Sequence, residues 1–160
     1  MTSAFKGAIR HTSTISGGSA YGKAQAEGVY VINLQATADG IRAANSTQWT
    51  QLVSDLENRP EQNIIISISR PVFGPDGFND KMEADLFHSL LVGQMEKGKN
   101  VFVVQSDGRN SASLKDGVRY ITLTGARIST PDDFANYSYA EFVINGNAVT
   151  YEVKTPYKFD

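Results

Sequence analysis

The chain contains no cysteine. Disulfides, thiolate nucleophiles and Cys-ligated zinc are thereby excluded. The compartment is left open, because a reducing cytosol and many secreted proteins share the trait. Histidine is nearly as scarce, with only His11 and His88. A dinuclear hydrolytic centre needs about three imidazoles and several carboxylates around two ions ~3.5–4 Å apart. The histidine count cannot supply that set. No apolar run approaches the ~20 residues that cross a bilayer, so no membrane insertion is expected. Met1-Thr2-Ser3-Ala4-Phe5-Lys6 starts no signal-peptide core. The chain reads as cytosolic, as a mature domain, or as an excised piece of a larger protein. Basic clusters are also missing. The net charge is −2 from 15 basic and 17 acidic residues, and Lys97 and Lys99 form the densest basic pair. A nucleic-acid partner needs a longer positive footprint, so none is expected.

What is present describes an ordinary globular domain. The 160 residues are 41 % hydrophobic and 20 % charged, enough for one core. Residues 1–20 are rich in Ser, Thr and Gly and read as a flexible lead-in. Residues 21–160 read as a single α/β domain. Val29 to Leu34 is nearly continuous in apolar residues, the mark of a strand buried on both faces. Trp49, Leu52, Val53 and Leu56 form an apolar stripe at helical spacing, with Ser46 as the expected N-cap and Pro60 as a stop. Trp49 at this spacing reads as core rather than as a stacking platform. Asn63 to Ser69 is a second strand by its β-branched content.

A long loop then leads to a helix from Lys81 to Lys97. Asp80 and Glu83 have capping-box spacing, which accounts for them more simply than a calcium loop does. The expected buried face is Met82, Leu86, Phe87, Leu90 and Leu91, which leaves His88 exposed. Gly98 is expected to end this helix in a left-handed cap. Asn100 to Gln105 and Val118 to Thr124 are further strands. Two strand–helix units in succession predict parallel pairing. The C-terminal part switches to antiparallel logic, with Asn145-Gly146 between two alternating runs. That turn predicts Phe142 opposite Val149 and Ala140 opposite Tyr151, with this face turned inward. The fold class is therefore α/β: a mixed sheet with flanking helices and a C-terminal antiparallel hairpin.

The candidate site lies where strands end. Ile64 to Ser69 runs into Arg70-Pro71, and Val101 to Gln105 runs into Ser106-Asp107-Gly108-Arg109-Asn110. Open α/β sheets bind ligands outside such carboxyl ends. Ser69, Arg70, Ser106, Asp107, Arg109 and Asn110 are the candidate binding residues, with Arg119 nearby. Ser69, Ser106 and Ser111 have no histidine base in that crevice and no G-x-S-x-G elbow, so no catalytic residue is assigned. Asp107 and Glu83 form a carboxylate pair whose separation the sequence leaves undefined.

The order of these landmarks resembles the C-terminal half of a calcineurin-like metallophosphoesterase. Gly28 to Leu34 is similar to the family's strand ending in Leu-Asp. Gln48-Trp49-x-x-Leu52 is similar to its Gln-Trp-x-x-Leu helix. Ser69-Arg70-Pro71 falls where that family has His-x-Pro, and Ser106 to Asn110 where it has Gly-His-x-His. Asp116 to Gly125 is similar to its Gly-Val-Arg-Tyr-Ile-Thr strand. The metal-binding histidines are replaced at both turns, and the family's Asp-x-His, Gly-Asp and Gly-Asn-His-Glu motifs do not occur. The resemblance therefore implies a half-sandwich with a degenerate site and no metal or cofactor. It further implies an accessory domain of a large secreted or cell-surface bacterial protein, beside N-acetylglucosamine-1-phosphodiester glycosidase-like domains. The expected partners are other domains of the parent chain and a glycan or cell-wall ligand. Two alternatives remain: a metal-dependent hydrolase completed by a missing N-terminal half, and a glycan- or phosphoglycan-binding module.

Overall fold

The computed structural model describes residues 21–26, 28–106, 110–123, 138–146 and 148–154. Its centre is a six-stranded mixed sheet. Strands β1 (Gly22–Ala26), β2 (Val29–Leu34), β3 (Asn63–Ile68), β4 (Asn100–Gln105), β5 (Ser111–Lys115) and β6 (Val118–Thr122) stand in the order β1-β2-β3-β4-β6-β5. The four inner strands are mutually parallel. The edge strands β1 and β5 run antiparallel to their neighbours. Helices α1 (Ile41–Ala44) and α2 (Thr47–Glu57) connect β2 to β3, and α3 (Lys81–Glu96) connects β3 to β4. A separate antiparallel hairpin pairs β7 (Tyr139–Asn145) with β8 (Ala148–Lys154).

The period-2 alternation of the strands builds two cores. Ile32, Ile66, Val103 and Tyr120 occupy one row across four strands, facing Leu52 and Leu56 of α2 and Phe87 and Leu91 of α3. Val31, Ile65 and Phe102 form a row on the other face, covered by Phe142, Ile144, Val149 and Tyr151 of the hairpin. Helices, sheet and hairpin thus form three layers. Trp49 packs against the helix-side core, as its spacing predicts.

Four local expectations need correction. Helix α3 is rotated by about one residue, or about 100°, from its expected face. Its buried residues are Glu83, Ala84, Phe87, His88, Leu91 and Gln94. Met82 is 72 % exposed, Leu86 is 45 % exposed and Leu90 is half-buried, whereas His88 is only 7 % exposed. Hydrogen bonding makes the burial of Glu83 and His88 tolerable.

Ser46 does not cap α2. Its backbone is helical and its side chain makes no cap bond. Asn45 does that work instead, its Oδ1 accepting from Thr47 N at 3.0 Å. The hairpin pairs Phe142 with Tyr151 and Ile144 with Val149. The turn sits one residue later than expected, so each pairing moves by two and the inward face is kept. The Asp80–Glu83 box is also only half closed. Asp80 Oδ1 accepts from Glu83 N at 3.0 Å, but the Glu83 carboxylate is directed to α1. Gly98, at φ +84°, follows α3 in the expected left-handed conformation.

Candidate functional site

Residues that leave the carboxyl ends of β2, β3 and β4 meet where the sequence places the strand-end crevice. Each is tied to a neighbour. Ser69 Oγ accepts from Ala36 N at 3.0 Å and donates to the Ala36 carbonyl at 3.2 Å. Ser106 Oγ donates to the Ser69 carbonyl at 3.0 Å, and Ser106 N donates to the Ile68 carbonyl. Gln105 ties the loop after β3 to the neighbouring strand β6. Its Oε1 accepts from Val72 N at 3.1 Å, and its Nε2 donates to Thr122 Oγ1 at 2.8 Å.

The loop after β2 is held in the same way. Gln48 Oε1 accepts from Gln35 N at 2.8 Å, and Gln48 Nε2 donates to the Gln35 carbonyl at 3.2 Å. This is the glutamine of the Gln-Trp-x-x-Leu run. Asn79 N donates to the Ala38 carbonyl at 2.7 Å, and its side-chain amide donates to Asp39 at 2.9 Å. Glu83 is the deepest fastening. Its carboxylate accepts from Ile41 N, Arg42 N and Arg42 Nε at 3.2, 2.9 and 3.1 Å. Gly40 makes room for it, because a Cβ there would lie 1.8 Å from Glu83 Oε2. A buried carboxylate at the start of α1 satisfies N–H groups that a helix leaves open.

Arg70 lies half-buried at the rim, and its Nη2 donates to the Asp76 carbonyl at 2.9 Å. Its Nε is buried without a partner. The loop beyond it is anchored by Val72 and Phe78, both fully buried. Asn110 is exposed, and its Oδ1 accepts from Ser138 Oγ at 2.8 Å. Asp107 and Arg109 lie outside the described residues. The structure therefore places Ser69 and Ser106 together at the strand ends, with Arg70 following Ser69 directly in the loop.

The two-metal set of the resembled family does not fit here. Ser69 spends its hydroxyl on Ala36, and no group of three or more His, Cys, Asp or Glu converges among the described residues. His88, the one histidine described, sits elsewhere. Its Nδ1 lies 2.7 Å from Tyr120 Oη and its Nε2 lies 2.7 Å from Asp116 Oδ2. Phe73 packs edge-on against both rings. The arrangement is an Asp–His–Tyr chain, but its hydroxyl end is closed: Tyr120 is 3 % exposed. Burial, and secondarily Asp116, pushes the Tyr120 hydroxyl well above the usual tyrosine range. The chain fastens α3 to the β5–β6 turn.

Sequence reasoning missed Glu83, Gln105 and His88 as organising residues. A capping-box signal drew attention to Glu83 but to the wrong acceptor role, because α1 is 42 residues away in sequence. No helix among the described residues is long and apolar enough to cross a membrane. A scan against protein-family models finds no match to this chain, and a search of curated proteins finds none either.

Proposed function

We propose that this chain is a non-catalytic accessory or interaction domain of a larger, extracellular protein, built on a metallophosphoesterase-type scaffold. One observation carries this reading. The polar groups at the strand-end crevice are spent on holding neighbouring loops together: Ser69 on Ala36, Ser106 on Ser69, Gln105 on Val72 and Glu83 on α1. A site that binds a reacting group needs donors and acceptors aimed outward at that group. Here they are aimed at backbone. The crevice has become a set of ties among the loops that follow β2, β3 and β4, which suits a domain presenting surfaces to other domains of its parent chain.

Elemental analysis and a generic phosphodiester assay on one preparation test this reading. The expected result is no stoichiometric zinc, iron or manganese, and no turnover when those metals are added. Two equivalents of transition metal, with turnover lost on Asp107→Ala, would establish the hydrolase reading instead. The phosphoglycan-binding reading rests on Arg70, whose buried, unpartnered Nε lies at the crevice rim. Saturable binding of a sugar phosphate that Arg70→Ala abolishes would favour it.

A further inference from the structure

The two edges of the central sheet differ. On β1 the exposed side chains are those of Lys23 and Gln25, both polar. On β5 every residue from Ser111 to Lys115 is exposed, Leu114 by 62 %. Among the described residues no strand pairs with the outer edge of β5. An open edge that carries an apolar side chain is a template for another strand. Lysine is a common guard of such an edge, but Lys115 is drawn back over its own molecule, its Nζ 3.9 Å from the Phe73 ring centroid. The turn after β5 fixes which groups the edge offers. Asp116 and Gly117 both have positive φ, at 48° and 85°, the signature of a two-residue turn of type I′ between Lys115 and Val118. Residues flanking such a turn exchange both backbone hydrogen bonds, and the pattern alternates along an antiparallel pair. Ser111, Ser113 and Lys115 therefore bond to β6, while the N–H and C=O groups of Ala112 and Leu114 point outward. The side chains of these two residues share the hairpin side of the sheet, opposite Ile121 and Arg119.

This edge complements itself. Let a second copy lie antiparallel to it, with Ser113 at the two-fold axis. Ala112 then meets the second copy's Leu114 in a hydrogen-bonded pair, and Leu114 meets its Ala112. Every outward donor and acceptor of both residues is used, and the apolar side chains fall opposite each other. Ser113 faces its own counterpart across a non-hydrogen-bonded pair, where the two hydroxyls are within reach of one another. Lys115 falls opposite Ser111, so no like charges meet. Shifting the register by two residues leaves one outward residue of each copy without a partner on β5. We propose that β5 is the interface of a symmetric homodimer, in which two central sheets join edge to edge. The five residues of β5 cover far less than the ~800 Å² per partner of a standard stable interface. The dimer is therefore weak, with a dissociation constant on the order of 0.1–1 mM.

Sedimentation equilibrium of the full chain from about 0.02 to about 1 mM tests this, and should show reversible dimerisation across that range. Ala112→Pro removes an N–H that β6 does not use, at a place where an edge strand accepts proline. It should melt at the wild-type temperature and stay monomeric throughout. Leu114→Lys, at a side chain already 62 % exposed, should do the same without touching the backbone. The chain has no cysteine, so a single introduced thiol reports the geometry. Ser113→Cys should cross-link to a second copy under mild oxidation, because Cα atoms of a non-hydrogen-bonded pair lie about 4.5 Å apart, within disulfide reach. It should do so about tenfold faster than Leu86→Cys on the exposed face of α3, whose thiols meet only by collision. The proposal is overturned if the chain is monomeric at the highest concentration, or if Leu114→Lys dimerises as wild type. Dimerisation of an Ala112→Pro variant that keeps its melting temperature overturns it too, as does cross-linking of Leu86→Cys as fast as Ser113→Cys.

Discussion

The two faces of the central sheet are built from the same strands but finished differently. On the helix side Ile32, Ile64, Ile66, Ile68 and Val103 are all 0 % exposed, whereas on the hairpin side Val29, Val31, Ile65, Phe102 and Val104 retain 7–9 %. The helix-side rows are apolar almost throughout. The hairpin side carries Asn33, Asn63, Ser67 and Asn100 among its apolar residues. Asn63 Nδ2 donates to the carbonyls of Gly28 and Gly146 at 3.0 Å each, and its Oδ1 accepts from Asn100 Nδ2 at 2.8 Å. One face is therefore sealed by bulk, and the other is held at its edge by a directed polar tie. Helices that follow their strands directly in sequence reach their places cheaply. A hairpin arriving from far along the chain has a larger loop-closure cost, and a hydrogen bond fixes where it lands.

If the helix side carries the stability, Phe87→Ala should cost about 3–5 kcal/mol as a full core truncation. Phe142→Ala, on the half-buried hairpin, should cost about 1–2 kcal/mol because roughly half the area is at stake. Urea denaturation of both variants checks this. Equal losses would break the contrast between faces. Glu83→Ala should come next, at about 2–4 kcal/mol, since it orphans two buried N–H groups of α1 and unpairs Arg42. Glu83→Gln should recover only part of that, because an amide offers one acceptor oxygen where the carboxylate offers two.

Asn63→Ala isolates the polar tie. It should cost about 1–3 kcal/mol, and hydrogen exchange should rise in β7 and β8 before it rises in β3. Uniform loss of protection would show that the hairpin is not separately fastened. Tyrosine titration sharpens the same contrast. Tyr21, Tyr30 and Tyr120 all touch the helix side, and burial raises each hydroxyl above its usual range, with Asp55 adding to the first two and Asp116 to the third. Unfolded tyrosines ionise near pH ~10. The folded groups hold their protons longer, so their contribution is intact below that pH and is lost as pH rises through the higher folded values. Melting temperature should fall above pH ~10, and Tyr120→Phe should reduce the slope. The smallest effect belongs to the outward face of α3. Leu86→Ala should lie within about ±0.5 kcal/mol, against about 2–5 kcal/mol for Leu91→Ala.

Helix α3 shows where sequence reading reaches its limit. Met82, Leu86 and Leu90 carry apolar side chains on one side, and Phe87 and Leu91 on another, so apolar periodicity alone does not orient the helix. Three polar residues decide it. Glu83 reaches α1, and His88 reaches Tyr120 and Asp116, partners 28 to 42 positions away in sequence. Gln94 is the third polar residue turned inward. Strands β1 and β5 escaped sequence reading for the opposite reason. Gly-Lys-Ala-Gln-Ala and Ser-Ala-Ser-Leu-Lys bury little, as edge strands do, and so show no clear apolar alternation. At the crevice, Ser69 and Ser106 were singled out by position, but their hydrogen bonds go to the backbone of neighbouring loops, which no residue type announces.

Local patterning by itself determined the four inner strands, the existence and length of α2 and α3, and the inward face of the hairpin. Each rests on the spacing of apolar residues within one short segment, where burial rewards a single period. Only the tertiary structure decided the facing of α3, the role of Glu83 and the closure of the crevice. Each depends on which polar group meets which across a long sequence separation. A hydrogen bond is directional and counts only when both partners arrive, and that meeting is a property of the folded chain.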